Sequence, residues 1–486
     1  MQFFELLIII ASSITIIFNR ILYRYVNKRY VIGFLILILG IHLIAEGPRW
    51  QITPAYLLFL VAIITSFRNP ERKSSIFLRI IKTIGLAVLL AMAILLPSVF
   101  PVFELPSPTG PYAVGTTDIL LNSDRPEPIT TDEGDQRRFM IKVWYPSTEP
   151  GEEMDSYIDK GGRNGFAQKY QLPGWMFNYL DKIETHVYRN TPVAGETFPV
   201  LIFSHGYNSK ANGYYAILSE LASQGYIIFA INHSYESTGS TFPDGSEIYF
   251  DYDYAARIEA GTWEKIQPVQ EAFRNGLSFE ERHPIVEKAL TTYFVRDIVE
   301  RWALDIMDVI DELDNWNKEG LFKGRLEVAN VGVFGHSRGG GAAGQSLLVD
   351  NRIKAGANLD GVQWGQIVDT VFQKPFLFLS ADWPADHEDL NSHAYINKST
   401  SWFYEAKLLK SEHSNFMDIP YMIPVRALSQ AGQIDPDLAM KITGRLTTSF
   451  FNRHLKNDGT SPVETLDSTY EMLEMNIYKG DSLLLH

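Results

Sequence analysis

The 486-residue chain contains no cysteine. That absence excludes disulfides, a thiolate zinc site and a cysteine nucleophile. The sequence also lacks a His-Glu-x-x-His string and any dense cluster of metal ligands. Its first strand-to-helix turn carries no Gly-x-Gly-x-x-Gly, so neither a metal nor a dinucleotide cofactor is expected. Basic charge is scarce where a nucleic-acid surface would need it: beyond residue 105 there are 33 Lys and Arg against 53 Asp and Glu. No internal repeat occurs at solenoid periods, and there is no long low-complexity tract.

Long hydrophobic runs are present, and all of them lie at the start. Four apolar stretches, Phe3–Phe18, Tyr30–Ala45, Pro54–Phe67 and Thr83–Val102, follow one another without an amphipathic face. They read as four transmembrane helices of a multi-pass, membrane-embedded region. Arg20, Arg24, Lys28 and Arg29 separate the first two, and Arg68, Arg72, Lys73, Arg79 and Lys82 the last two, whereas the middle loop holds only Arg49. By the positive-inside rule both basic loops face the cytoplasm, which puts everything after Val102 on the extracytoplasmic side of the cell membrane. Glu5 and His42 are the ionisable residues inside the spans and are expected at an interface or a helix contact. The turn-rich linker Leu105-Pro-Ser-Pro-Thr-Gly-Pro111 marks a boundary. The expected organisation is a membrane region over 1–105 and a second domain over 106–486.

The second domain alternates strands and helices. Arg138–Tyr145 alternates in polarity, as an early antiparallel strand does. Pro199–Ser204, Gly225–Asn232, Val331–Phe334, Ile353–Leu359, Pro375–Leu379 and Ser401–Lys407 are short apolar runs of the kind buried in a parallel sheet. Asn212–Gln224, Val295–Trp316 and Asp435–Leu455 carry helical periodicity, the last as a closing helix. The order predicts an α/β fold with a doubly wound, mostly parallel sheet. Phe242–Thr292 interrupts the alternation and reads either as a cap over a site or as a surface insertion.

One segment carries chemistry. Val331-Gly-Val-Phe-Gly-His-Ser-Arg-Gly-Gly340 is a strand, a sharp Gly-x-Ser-x-Gly turn and the start of a small-residue helix, the pattern of a nucleophile elbow. The turn strains the backbone of Ser337 and presents its hydroxyl at a helix N-terminus, where N–H groups can stabilise an oxyanion. A serine needs a base, and in this fold class the acid and then the histidine follow it in the chain. His413 lies in the loop directly after the last predicted strand. His387 and His393 lie in a polar run and are expected to be exposed. Asp360, ending one strand, and Asp382 or Asp386, following the next, are equally placed as the acid. The oxyanion donors are expected to be the backbone N–H groups of Arg338 and of Tyr207, in Ser204-His-Gly-Tyr207.

With these residues in hand, the second domain resembles the platelet-activating factor acetylhydrolase family of the plasma and intracellular isoform II type, and hence the α/β-hydrolase fold. The likeness is carried by Gly110 through Asp118, Val143-Trp-Tyr-Pro-Ser147, Phe203-Ser-His-Gly206, Gly335-His-Ser-x-Gly-Gly340, Leu359-Asp360, His413-x-Asn-Phe416, and Ile434 through Phe451 with His454-Leu455. The resemblance implies Ser337, Asp360 and His413 as a triad and so selects Asp360 as the acid. It implies Tyr207 and Arg338 as the oxyanion hole. It further implies calcium-independent hydrolysis of short or oxidised acyl groups from phospholipids. Two features depart from the family: the four spans, and Arg338, which stands where the best-known members have an apolar residue. The Arg338 guanidinium is placed to meet a phosphate or carboxylate of the substrate or to pair with a nearby acid. Gly-His-Ser-Arg-Gly-Gly also occurs in chlorophyllase-like esterases, so a general carboxylesterase or polyesterase is the alternative expectation. A non-catalytic membrane sensor is the alternative of another class.

Overall fold

The computed structural model describes residues 1–67, 75–363, 370–383, 390–396, 399–480 and 482–485. The chain forms two compact units, one of Met1–Glu104, Trp175–Ile183 and Tyr421–Leu428, the other of Leu105–Gly174, Glu184–Pro420 and Ser429–His486.

The first unit is built on four helices: α1 (Phe3–Tyr25), α2 (Lys28–Ala45), α3 (Thr53–Phe67) and α4 (Ile76–Val99). All four, the third counted with its lead-in turn from Trp50, are long and apolar enough to cross a membrane. α1 runs seven residues beyond the predicted Phe18 and bends there, where Phe18 leaves helical geometry. Ile8, Ile9, Leu35, Ile38, Leu58 and Phe59 form its interior. Its exterior is equally apolar, with Ile14, Ile17, Leu37, Ile44, Leu60 and Leu95 exposed. Apolar side chains inside and out suit a hydrocarbon solvent and would be costly in water. Its charged and histidine side chains at the helix contacts pair with one another. Arg49 donates from Nε and Nη2 to the Glu5 carboxylate at 2.7 and 2.8 Å. The His42 ring is held between Glu46, at 2.8 Å, and the Tyr56 hydroxyl, at 2.7 Å. Glu5 and His42 are therefore helix contacts.

The second unit holds the sheet. Its strands are β1 (Ala113–Pro126), β2 (Gln136–Ser147), β3 (Val187–Arg189), β4 (Phe198–Ser204), β5 (Ile227–Asn232), β6 (Gly239–Thr241), β7 (Glu247–Tyr249), β8 (Leu326–His336), β9 (Ile353–Leu359), β10 (Phe376–Ser380), β11 (Ser399–Leu408), β12 (Leu473–Gly480) and β13 (Ser482–Leu485). The main sheet is ordered 13-12-11-10-9-8-4-5-2-1-3, and β6–β7 form a separate hairpin. The run from β5 to β11 is parallel, with antiparallel strands on both flanks. Every residue of β4 and β5 is buried, because helices cover both faces of a parallel sheet. This is the mostly parallel α/β-hydrolase architecture. Strand order reverses between β4 and β8, and in open α/β sheets such a switch point opens a crevice at the strand C-termini. Ser204, ending β4, pairs in register with Gly335 of β8. The two segments read from sequence as oxyanion loop and elbow thus leave the sheet side by side.

Helices α5 (Lys160–Tyr170), α6 (Tyr215–Ser223), α10 (Val295–Lys318), α11 (Arg338–Val349) and Pro436–His454 surround the sheet. α10 buries Ile298, Val299, Trp302, Ile306, Val309 and Leu313 along one face, which is the stripe its periodicity predicts. Asp435 caps the helix Pro436–His454 by accepting from Leu438 N–H at 3.1 Å. That helix does not close the chain. β12 and β13 follow and extend the sheet, with Leu473, Met475 and Ile477 buried at the two-residue period of a strand. The interruption at 242–292 contains α7 (Tyr252–Glu259), α8 (Thr262–Arg274) and α9 (Phe279–Thr292). The last begins with a reciprocal Ser278–Glu281 capping box.

Candidate active site

Ser337 stands between β8 and α11 with φ 58° and ψ −128°. A non-glycine residue rarely adopts this conformation unless its surroundings impose it. Here they do: Ser337 N–H donates to Leu359 O at 3.0 Å, and Ser337 O accepts from Gly340 N–H at 2.9 Å. A Cβ at Gly339 would strike the Ser204 and His205 carbonyls, and one at Gly335 would strike Gly339. The flanking glycines are thus required by close approach of β4 and α11.

Asp360 and His413 come together on this crevice. His413 Nδ1 donates to Asp360 Oδ2 at 2.6 Å. Asp360 Oδ1 accepts from Ala381 N–H at 2.7 Å and Trp383 Nε1 at 2.9 Å. The carboxylate is buried, so its orientation is set by three donors. Asp382 is committed elsewhere, accepting from Lys410 N–H at 2.8 Å. Asp386 and His387 lie outside the described residues. The Ser337 hydroxyl makes no hydrogen bond among the described residues, including to His413. His393 corrects an expectation: it is buried. Phe279 of α9 stacks on it at 4.6 Å, and its Nδ1 lies 3.3 Å from His283 Nδ1. Burial lowers its pKa to about 4.

The residue before the nucleophile has a task that the sequence did not disclose. His336 is buried, and its Nε2 donates to the His413 carbonyl at 3.1 Å. Its Nδ1 accepts from the Tyr214 hydroxyl at 2.8 Å, and that hydroxyl accepts from Gly206 N–H at 2.9 Å. Burial, then the neighbouring His413, hold the His336 pKa well below that of a free imidazole. A neutral ring can serve both bonds at once. One chain of hydrogen bonds thus ties the His413 backbone to the Gly206 loop. A Cβ at Gly206 would lie 3.3 Å from Ser337 Cβ, so this loop passes directly against the elbow.

Under the loop lies a second Ser-His-Asp set. Ser204 donates to His233 Nε2 at 2.8 Å, and His233 Nδ1 donates to Asp305 Oδ2 at 2.8 Å. All three side chains are fully buried, so this serine cannot meet a substrate. Arg137 donates twice to Asp305, at 3.1 and 2.6 Å. Attraction to Arg137 overcomes the desolvation of Asp305 and holds its pKa far below the usual carboxylate range. The adjoining His205 accepts from His233 N–H at 3.3 Å and donates to Gly206 O at 2.7 Å. The set braces the loop that ends in Tyr207. Neither Tyr207 N–H nor Arg338 N–H has an acceptor among the described residues. For Arg338 this is the normal state of a first helical residue. Two donors are therefore free where the sequence places an oxyanion hole. The ring of Tyr207 packs edge-on to Phe250 at 5.0 Å, at one border of the inserted helices.

A family model, platelet-activating factor acetylhydrolase isoform II, matches residues 98–476. Among curated proteins, the platelet-activating factor acetylhydrolase of Cavia porcellus is 27% identical over 379 residues, covering 73% of this chain and 78% of the relative. That of Gallus gallus is 25% identical over 415 residues, covering 78% and 90%. Among solved structures, a ferulic acid esterase from Streptomyces cinnamoneus matches with a TM-score of 0.60 at 22% identity, over 77% of this chain and 99% of that one.

Proposed function

The chain belongs to the platelet-activating factor acetylhydrolase isoform II family and is a serine ester hydrolase, and from that premise we propose that Ser337, His413 and Asp360 are its catalytic triad, acting on short-chain sn-2 esters of phospholipids at a membrane. The observation that carries this reading is the 2.6 Å hydrogen bond between His413 Nδ1 and a buried, triply bonded Asp360, beside a strained Ser337.

With Nδ1 occupied, Nε2 of His413 is the basic nitrogen that faces the chemistry. It takes the Ser337 proton as the oxygen attacks the ester carbonyl. Asp360 keeps the imidazole in that tautomer and stabilises the imidazolium. Hydrogen bonds of this kind tighten when substrate closes the site. Negative charge on the carbonyl oxygen is met by Tyr207 N–H and Arg338 N–H. His413 then protonates the leaving alcohol, and water, activated by the same nitrogen, frees the acyl group. The four apolar helices anchor the enzyme, with the hydrolase on the extracytoplasmic side.

The deciding assay is release of the sn-2 acyl group from phosphatidylcholines with acetyl, short oxidised or long chains, in the absence of calcium, by the full chain in detergent. Short-chain activity that falls by about 10⁴-fold or more in Ser337→Ala is the expected result. Activity confined to p-nitrophenyl acetate would retain the triad and replace the lipid substrate with simple soluble esters.

A further inference from the structure

Arg338 contributes its backbone N–H to the reaction centre, but its side chain is the anomaly. The guanidinium lies 3.7 Å from the centroid of the Tyr207 ring and 5.3 Å from that of Phe294. It forms no ion pair and no hydrogen bond among the described residues, and its Nη1 is buried without an acceptor. The Tyr207 hydroxyl beneath it is likewise buried without a partner. Two carboxylates act on Arg338 through space, Glu259 and Glu236. Glu236 is already engaged by Arg301 and by Trp302 Nε1. Glu259 is exposed on the last turn of α7 and makes no contact with the guanidinium. Burial depresses the pKa of Arg338, whereas the buried Arg137 and Arg301, which have carboxylate partners, shift upward.

Arg338 is half-buried; a partly desolvated cation with no counter-ion among the described residues is unfavourable, and stacking on aromatic faces offsets only part of the cost. A carboxylate or phosphate arriving at such a group gains charge-assisted, often bidentate hydrogen bonds. Of the two roles open to Arg338 from the sequence, pairing with a nearby acid does not occur among the described residues. We propose that the Arg338 guanidinium and the Tyr207 hydroxyl form an anion-recognising subsite, so that the enzyme selects esters carrying a carboxylate or phosphate within one arginine side chain's length of the scissile carbonyl. This rests on Ser337 being the nucleophile. Two sources present that chemistry: a carboxylate at the far end of the acyl chain, or a phosphate on the alcohol side.

The test uses the full chain in detergent and two matched substrate pairs. The p-nitrophenyl monoester of glutaric acid is compared with p-nitrophenyl pentanoate, and the acetate ester of glycerol 3-phosphate with that of glycerol. The readout is the ratio of kcat/KM for charged over neutral ester. It is expected to exceed one in at least one pair and to fall about 10-fold or more there in Arg338→Met. In Arg338→Lys, which keeps the charge but not the planar fork, it should fall less. The pair that responds identifies the source of the anion. Ratios unchanged within about twofold in both pairs and both variants would overturn the proposal and leave Arg338 as a stacking prop for Tyr207. If Arg338→Met does not fold, the lysine variant decides by the same ratio. Ser337→Ala runs in parallel: hydrolysis that survives it refutes the nucleophile assignment, whatever the ratios show.

Discussion

At the scale of single residues, three donors converge on Asp360: His413 Nδ1, Ala381 N–H and Trp383 Nε1. Asp360→Asn keeps the volume but removes the acceptor that fixes the His413 tautomer, and kcat/KM should fall about 10⁴-fold. The Asp382 carboxylate accepts from the Lys410 backbone N–H and, among the described residues, does not meet His413, so Asp382→Asn should stay within about threefold of wild type in the same ester assay. Equal losses in the two would mean that the acid is misplaced. Of the proposed triad, the elbow around Ser337 was legible in the sequence because it is a local pattern. The acid was not: Asp360 and Asp382 both follow strands, and only a family likeness separated them. His336 was invisible for another reason. Its role is a hydrogen bond to the backbone of His413, 77 residues on, and no spacing rule records it.

The elements place these residues, and the ends of β4 and β8 matter most. Asp305, on α10, holds the loop after β4 through His233 and is clamped by Arg137. Asp305→Asn leaves a buried guanidinium undercompensated and should destabilise the fold by about 3–5 kcal/mol, measured by denaturant unfolding. Because the Asp305 pKa is depressed on folding, its contribution is complete above the unfolded value near 4 and is lost as pH falls below it. The variant should therefore lose part of the acid-induced decline as well. Gly339→Ala pushes a methyl group into the Ser204 and His205 carbonyls; it should cost stability and abolish labelling by a serine-directed fluorophosphonate. Strand and helix runs were readable because parallel strands are continuously apolar and α10 carries a helical stripe. β12 and β13 were missed although Leu473, Met475 and Ile477 alternate, since edge strands are short and follow a helix that looked final.

For the molecule as a whole, solvent is the organising variable. The first unit exposes apolar side chains and the second carries the acidic surface, so the membrane reading has a direct check. A chain without cysteine accepts single reporters: Ser107→Cys should be labelled by a membrane-impermeant maleimide in intact cells and Lys28→Cys only after lysis. The reverse pattern would invert the topology. The second unit also buries His205, His233 and His336, all with pKa values lowered chiefly by burial. Below the unfolded value near 6.5 the unfolded chain binds protons that the folded chain refuses, so stability falls as pH falls through that value. Each histidine adds up to roughly 1.4 kcal/mol per pH unit. Unfolding midpoints between pH 7.5 and 5.5 should track this slope, and removing one such histidine should flatten it.

Local patterns decided a great deal here. Apolar runs that approach the length of a bilayer span, basic loops between them, alternating α and β periods, and a glycine-flanked serine are each determined by neighbours within one element, so the sequence alone determined the apolar helices, the fold class and the strand-turn-helix that carries Ser337. What depends on residues far apart in the chain was decided only by tertiary structure. It set which aspartate meets His413, why Ser204-His233-Asp305 is a buried brace, why His393 is buried under α9, and why Arg338 has no counter-ion among the described residues. The physical reason is that burial and hydrogen-bond pairing are properties of the packed interior, where elements distant in sequence compete for the same donors, acceptors and space.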